Sequence, residues 1–241
     1  MDLIDIHNHM LPGVDDGAPD VDTALAMARL AVDGGIVEVV CTPHIHPGRF
    51  ENNKGALQRH FEEFAQRVAG EGIPLKLHLA AEMRFDATII QQVLSGEVPF
   101  LGQWQGRQVL LLEFPHDQLP FAAEKLTGWL LEHDIVPMIA HPERNRGFIR
   151  EPALLKPFAA QGCLMQGTGG SFMGRFGESA RVLAEQMLAA GYFAFVASDA
   201  HNLDFRSPAL SAPLERVTEL AGSETANRLF RENPRLLVGD G

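Results

Sequence analysis

Seven short apolar runs, each followed by a longer stretch of helical periodicity, restrict what this chain can fold into. The runs are Leu3–His7, Val37–Thr42, Leu75–Ala80, Val109–Glu113, Val136–His141, Cys163–Gln166 and Phe193–Ser198. Several are apolar at consecutive positions, so both of their faces must be covered. Buried parallel strands have this character and half-exposed antiparallel strands do not. Between them, Val21, Leu25, Ala28 and Val32 recur at helical spacing before the stop signal Gly34-Gly35, and Leu57, Phe61, Phe64 and Val68 do so before Gly70. Ala122–His133, Pro152–Gln161 and Glu178–Ala190 are further helices, and Asn233-Pro234 is expected to end the last helical stretch. Strand and helix alternating in this way imply a parallel sheet. The first strand-to-helix turn carries His7-Asn8-His9 in place of a glycine-rich phosphate loop, which favours a closed or nearly closed (β/α) barrel over an open doubly wound sheet. A length of 241 residues suits one such core, so 1–241 is read as a single domain.

The polar residues fall at the ends of these strands. The first run ends in His7-x-His9, the second in Thr42-Pro43-His44, the third at Glu82, the fourth at Glu113, the fifth at His141, and the seventh at Asp199 with His201 just behind. In a parallel barrel those ends converge on one face, where catalytic sites are built. Side chains alternate along an extended chain, so His7 and His9 point the same way and can grip one ion, and Asp199-x-His201 repeats the geometry. A single histidine at a strand end is an ordinary core or surface residue; donors at nearly every strand end are not an ordinary accident. His60, His78, His116 and His133 fall in helices, mid-strand or in loops and are given no role. The loop Leu11-Pro12-Gly13-Val14-Asp15-Asp16-Gly17 lies just beyond the first pair, and one of its aspartates can turn inward as a further ligand.

With one of those aspartates counted, the donors are five histidines and four acids. Nine are too many for one tetrahedral site and suit two or three ions sharing bridging carboxylates. Mixed nitrogen and carboxylate ligands suit zinc, manganese or iron rather than calcium. Such a site brings the pKa of bound water toward neutrality, clamps phosphate oxygens and stabilises a leaving oxygen, which is the equipment of phosphoester hydrolysis. Arg144, three residues past His141, and Arg206, in the loop after His201, are placed to take phosphate in a bidentate fork, with Arg49 after His44 as a more remote third candidate. Cysteine-nucleophile chemistry does not fit: six residues after Cys41 is Pro47, and six after Cys163 is Gly169, where an arginine is needed. The Gly-x-Ser-x-Gly elbow of serine hydrolases is also missing. A formal net charge of −11 argues against nucleic-acid or anionic-membrane binding. Two cysteines, an acidic N-terminus and no apolar run of roughly 18 residues point to a cytoplasmic protein that does not insert into a membrane.

Taken together, His7-x-His9, the Pro-Gly-x-Asp-Asp-Gly loop, Thr42-Pro43-His44, Glu82, Leu112-Glu113-Phe114, His141-Pro142-Glu143-Arg144 and Ser198-Asp199-x-His201-Asn202-Leu203 resemble the PHP (polymerase and histidinol phosphatase) superfamily. Within it, the chain is most similar to the manganese-dependent tyrosine-protein phosphatases of bacterial capsule and exopolysaccharide synthesis (the CpsB/YwqE type). The resemblance runs over almost the whole chain. It implies a distorted (β/α)7 TIM-like barrel and three divalent ions, manganese first, with iron or zinc as alternatives. It implies that His7, His9, Glu82 and Asp199 hold one ion, that Glu82 bridges to a second completed by Glu113 and His141, and that Asp16, His44 and His201 hold the third. By the same resemblance Asp16 is the ligand and Asp15 a turn residue, and Arg144 and Arg206 bind phosphate. The implied substrate is phosphotyrosine on the tail of a membrane-associated tyrosine kinase. The stretch Gln166–Ser171 either shapes the pocket or is a flexible glycine turn.

Three other readings compete. One is a PHP phosphatase for a small metabolite such as histidinol phosphate. Another is an amidohydrolase barrel, which needs a bridging lysine where this chain has Glu113. The third is a binding module with a purely structural metal cluster, although structural sites are closed by protein ligands and nine donors over three ions leave positions open.

Overall fold

The computed structural model describes residues 2–239. From β1 (Leu3–Asn8) the chain passes through α1 (Val21–Asp33) to β2 (Ile36–Cys41) and its two-residue continuation β3 (His44–Ile45). Helix α2 (Lys54–Gly70) leads to β4 (Lys76–Leu79) and its continuation β5 (Glu82–Arg84). After α3 (Ile89–Leu94), β6 (Gly102–Trp104) turns back into β7 (Arg107–Glu113). Then come α4 (Ala123–Glu132), β8 (Ile135–Ala140), α5 (Arg146–Arg150), α6 (Leu155–Gln161) and β9 (Leu164–Thr168). Helices α7 (Gly169–Phe172) and α8 (Glu178–Ala189), strand β10 (Phe195–Ala197), and helices α9 (Ser211–Asn227) and α10 (Asn233–Val238) follow.

Parallel pairing runs β1 to β2 to β4, and from β3 through β5, β7, β8 and β9 to β10. The two sheets share strands that are interrupted. Pro43 has no N–H to give and breaks the ladder between β2 and β3, while Ala80-Ala81 separate β4 from β5. The ring closes where Asp199 N donates to His7 O at 2.8 Å and His9 N donates to Ala200 O at 2.8 Å. This is the expected distorted seven-stranded barrel, and its two breaks lie immediately before His44 and Glu82.

Alternation fills the barrel and delivers the site. Val109 and Leu111 of β7, Val136, Met138 and Ala140 of β8, and Phe195 and Ala197 of β10 belong to the interior cluster, with Ile4, Ile6 and Val40. Their neighbours Leu110, Leu112, Ile139 and Val196 pack outward against the helices. Carrying the same alternation one step past the apolar layers puts Glu113 and Asp199 on the interior side at the C-terminal mouth. The other mouth is plugged by Leu101, Trp104 and Leu237. That plug needs Gly102, because a Cβ there would lie 2.2 Å from Leu237 O.

Local signals fell short at three places. Asn233-Pro234 does not end the last helix: a π-helical turn, Arg228–Glu232, runs directly into α10, and Pro234 sits in its first turn, where a missing N–H costs nothing. The β6–β7 hairpin was not legible; Gln105 (φ 53°) and Gly106 (φ 80°) form its turn with the paired positive φ of type I′. Gln166–Ser171 is no flexible turn, since it is the end of β9 and the start of α7. Among the described residues, no helix is long and apolar enough to cross a membrane.

Candidate metal centre

The C-terminal mouth gathers all nine proposed donors. Four overlapping groups form there: His9, Asp16, His44 and His201; His7, His9 and Glu82; His7, His141 and Asp199; and His44, Glu82 and Glu113, each with its ligand atoms within 4.8 Å of one another. His7, His9, Glu82 and Asp199 are all at most 1% exposed. The Nε2 atoms of His7 and His9 are 3.3 Å apart, and Glu82 Oε2 lies 3.3 Å from each of them. Asp199 Oδ1 is 3.4 Å from each. Ligand atoms about 2.1 Å from one ion and a tetrahedral angle apart are separated by about 3.4 Å, so these spacings are those of atoms that share a cation. Glu82 also reaches His141 Nε2 through Oε1 at 2.8 Å and His44 Nδ1 through Oε2 at 3.1 Å, the position of a bridging carboxylate. Asp16 Oδ1 stands 3.5 Å from His44 Nε2 and 3.6 Å from His201 Nε2.

Partners behind the imidazoles fix their tautomers. Gln166 donates its amide to Gly167 O at 2.6 Å, so its Oε1, 2.8 Å from His7 Nδ1, must accept. Asp15 Oδ2 accepts from His9 Nδ1 at 2.7 Å, and His201 Nδ1 donates to Asp199 O at 3.0 Å. When neutral, all three rings therefore turn the lone pair of Nε2 to the cluster. Asp15 is therefore more than a turn residue: it also accepts from Gly17 N at 2.9 Å and His44 N at 2.9 Å. Burial works to raise it, but the His9 imidazole and these N–H donors hold it at about 2. Gly17 makes the tight fold of this loop possible, because a Cβ there would sit 1.9 Å from His9 O.

The electrostatics leave room for added positive charge. Glu82 Oε2, Asp199 Oδ1 and His44 Nδ1 are buried without a hydrogen-bond partner. Burial opposes ionisation of Glu82, but His7 and His44 hold it well below the usual carboxylate range. Burial likewise opposes ionisation of Asp199, and Arg206, His7 and Arg144 hold it down. Burial and the neighbouring Glu82 push Glu113 up, as expected of two acids sharing a site without a cation between them. Burial lowers His44 to about 4 and, with help from His9, lowers His201 to about 2, so both are neutral, the form that binds metal. His141 (φ 34°) and Asp199 (φ 51°) hold left-handed backbone that non-glycine residues rarely adopt, a strain that recurs at functional sites. The donor set, its spacing and its unpaired atoms fit divalent metal.

Arginines ring the small cleft above the cluster. Arg144 Nη1 and Arg206 Nη2, the latter at 2.6 Å, both bond Asp199 Oδ2. Arg144 is stacked on Phe176 with its guanidinium carbon 4.2 Å from the ring centre. Arg49 pairs with Asp16 at 3.1 Å, and its side chain is 58% exposed, which keeps it at the rim. Three cleft residues were not anticipated: His46, Arg84 and His116. Arg84 Nη1 is 3.0 Å from Glu113 Oε2; the alternation that pairs His7 with His9 also puts Glu82 and Arg84 on one side, so the signal was present. His116, given no role from sequence, lines the cleft with Nε2 3.4 Å from Glu113 Oε1; it lies in a loop, where no periodicity reveals direction. His78 binds Glu38 and His133 stacks on Trp129 at 3.9 Å, both away from the cluster.

The chain is similar to known proteins over nearly its whole length. The tyrosine-protein phosphatase YwqE of Bacillus subtilis is 35% identical over 98% of this chain and 91% of its own length. The tyrosine-protein phosphatase CpsB of Streptococcus agalactiae is 25% identical over 98% of each chain. A solved structure from work on YwqE of Bacillus subtilis and CpsB of Streptococcus pneumoniae, described there as unique metal-dependent tyrosine phosphatases, matches with a TM-score of 0.91 at 35% identity, over 98% of this chain and 94% of that one. An organophosphorus hydrolase from Deinococcus radiodurans, at TM-score 0.57 and 16% identity over 98% of this chain and 92% of that one, shares the fold alone. The family model for capsular polysaccharide synthesis, CpsB/CapC, matches residues 3–239, and the chain belongs to that family.

Proposed function

We propose that this chain is a metal-dependent tyrosine-protein phosphatase, a phosphoric monoester hydrolase acting in capsule or exopolysaccharide synthesis. The observation that carries the reading is the cluster of nine donors, all buried except Asp16, with unpaired carboxylate oxygens and overhung by arginines. The similarity to YwqE and CpsB supports phosphotyrosine as the substrate. On this reading residues 1–241 act as one catalytic unit in the cytoplasm, and the phosphotyrosine belongs to the tail of a membrane-associated tyrosine kinase.

Three divalent ions, manganese first, account for the donors. His7, His9, Glu82 and Asp199 would hold one, Glu82 would be shared with a second held with Glu113 and His141, and Asp16, His44 and His201 would hold the third. When bound, they supply Lewis acidity that acidifies water and neutralises phosphate oxygens. The protein does the positioning. Asp199 holds Arg144 and Arg206 through one oxygen, so their remaining N–H groups converge on a phosphate in the cleft. Asp15 and Gln166 keep His9 and His7 in the ligating tautomer. A cysteine nucleophile plays no part: Cys41 and Cys163 are buried, and burial pushes the Cys163 thiol up to about 12 and Cys41 higher still.

The test is turnover of a phosphotyrosine peptide, histidinol phosphate and a phosphodiester by the manganese-loaded protein. The expected order puts the peptide first by at least about tenfold in kcat/KM. Preference for histidinol phosphate would move the protein to the metabolite branch, and preference for the diester would remove it from the monoesterases.

A further inference from the structure

We infer that Phe205, backed by Phe176, is the seat for the substrate's aromatic ring and makes the site select aryl over alkyl phosphates. The inference rests on the phosphatase reading and deepens it.

Phe205 is 56% exposed and directly precedes Arg206, which lines the charged cleft. The loop holding it is rigid. Asn202 Oδ1 accepts from Asp204 N at 3.1 Å and from Arg206 N at 2.9 Å, and His201 N donates to Arg206 O at 2.8 Å. From the neighbouring loop, Arg175 Nη1 donates to Phe205 O at 3.1 Å. The exposed ring is thus presented on a fixed backbone, so little ordering is left to oppose a ligand.

Its neighbours lead into the site. Phe205 meets the ring of Phe176 edge-on, with centroids 6.1 Å apart and planes at 76°. Phe176 in turn carries the Arg144 guanidinium at 4.2 Å, and Arg206 is the next residue after Phe205. Both arginines meet at Asp199 Oδ2. On the other side of the cleft the ring of Phe50 is already engaged, stacked on His44 at 5.5 Å with Arg49 over it at 4.7 Å. Phe205, in contact with Phe176 through one edge only, is an exposed aromatic ring next in sequence to Arg206.

The chemistry of an aryl phosphate matches this layout. Its ring is bonded directly to the ester oxygen, so a phosphate gripped by Arg144 and Arg206 holds a flat, apolar ring a few ångströms away. Phe205 offers that ring an edge or a face, the geometries aromatic pairs prefer. An alkyl phosphate has nothing to place there.

The experiment measures binding by calorimetry to the manganese-loaded protein, using benzylphosphonate and methylphosphonate as non-hydrolysable probes. The intact protein is expected to bind benzylphosphonate the more tightly. Phe205→Ala is expected to weaken benzylphosphonate by about tenfold and leave methylphosphonate unchanged, with Phe205→Tyr retaining most of the preference. Equal losses for both probes, or no loss for either, would overturn the assignment. A protein that binds neither probe and does not turn over a phosphotyrosine peptide would fail at the phosphatase reading instead, before Phe205 is in question.

Discussion

The two mouths of the barrel both bury acids, and they neutralise them in opposite ways. At the N-terminal mouth Glu38, 2% exposed, is on the same side of β2 as the interior residue Val40. Its oxygens are shared among His78, Lys76 at 3.0 Å and Arg235. Burial works against its ionisation, and those three partners hold it below its ordinary value. At the C-terminal mouth Glu82 is 0% exposed, and its Oε2 faces only imidazoles, with no hydrogen-bond partner. A carboxylate that ties a fold together brings its cations along in the chain. One that serves a reaction leaves its coordination open to cations from outside, because an open position is where water and substrate enter.

Four experiments break or sharpen that contrast. Full chelation is expected to abolish phosphatase activity and lower Tm, with manganese restoring both; turnover that survives complete metal loss would end the argument. Asp199→Ala is expected to cut kcat by about 10³ or more, since it removes a proposed ligand and releases Arg144 and Arg206, proposed to bind phosphate, while circular dichroism stays native. Glu38→Gln is expected to show the reverse pattern. Stability in denaturant should fall by about 2 kcal/mol, less than for a fully buried pair because Lys76 and Arg235 are partly exposed, with metal content and kcat/KM of the folded fraction unchanged. Loss of bound metal in Glu38→Gln would mean the two mouths are coupled.

The smallest effect is in proton uptake. In the metal-free protein, burial is outweighed at His9 by Asp15 and at His7 by Glu82 and Asp199, so both imidazoles are raised above 6.5, whereas His44 and His201 are lowered. At pH 7 metal uptake is therefore expected to release a proton from His9, which is held well above its ordinary value, and none from His44 and His201. Below the raised value the affinity should weaken by about tenfold per pH unit for each proton displaced, and above it the affinity should level off. Titration calorimetry in buffers of different ionisation enthalpy counts the protons, and a count of zero would contradict the proposed state of His9.

Much of the fold was legible because parallel barrel strands are short, apolar and regularly spaced. The expected Val136–His141 differs by one residue at each end from β8, and Val109–Glu113 falls inside β7. The His-x-His pair was legible for the same reason, since a period of two needs no tertiary information. The continuations β3 and β5 have two and three residues, too few for any period to be read. Pro234 was misread because the same residue that ends a helix also starts one well, and only the packing of α10 against the barrel mouth decides which. The role of Asp15 was hidden because adjacent aspartates in a turn look alike until one is buried against His9 and the other is left facing the cleft.

What the sequence determined by itself was the supply: which side chains stand at the strand ends, their charge, and the alternation that turns them inward. Local periodicity carries that information, and it is independent of any distant contact. The tertiary structure alone decided how the supply is shared out. His7 meets Gln166 across 159 residues, and Asp5 meets Ser198 across 193. Such neighbours are set only when the barrel closes and the left-handed turns at His141 and Asp199 aim their side chains, because separations of ångströms between strand ends are fixed by packing and not by order along the chain.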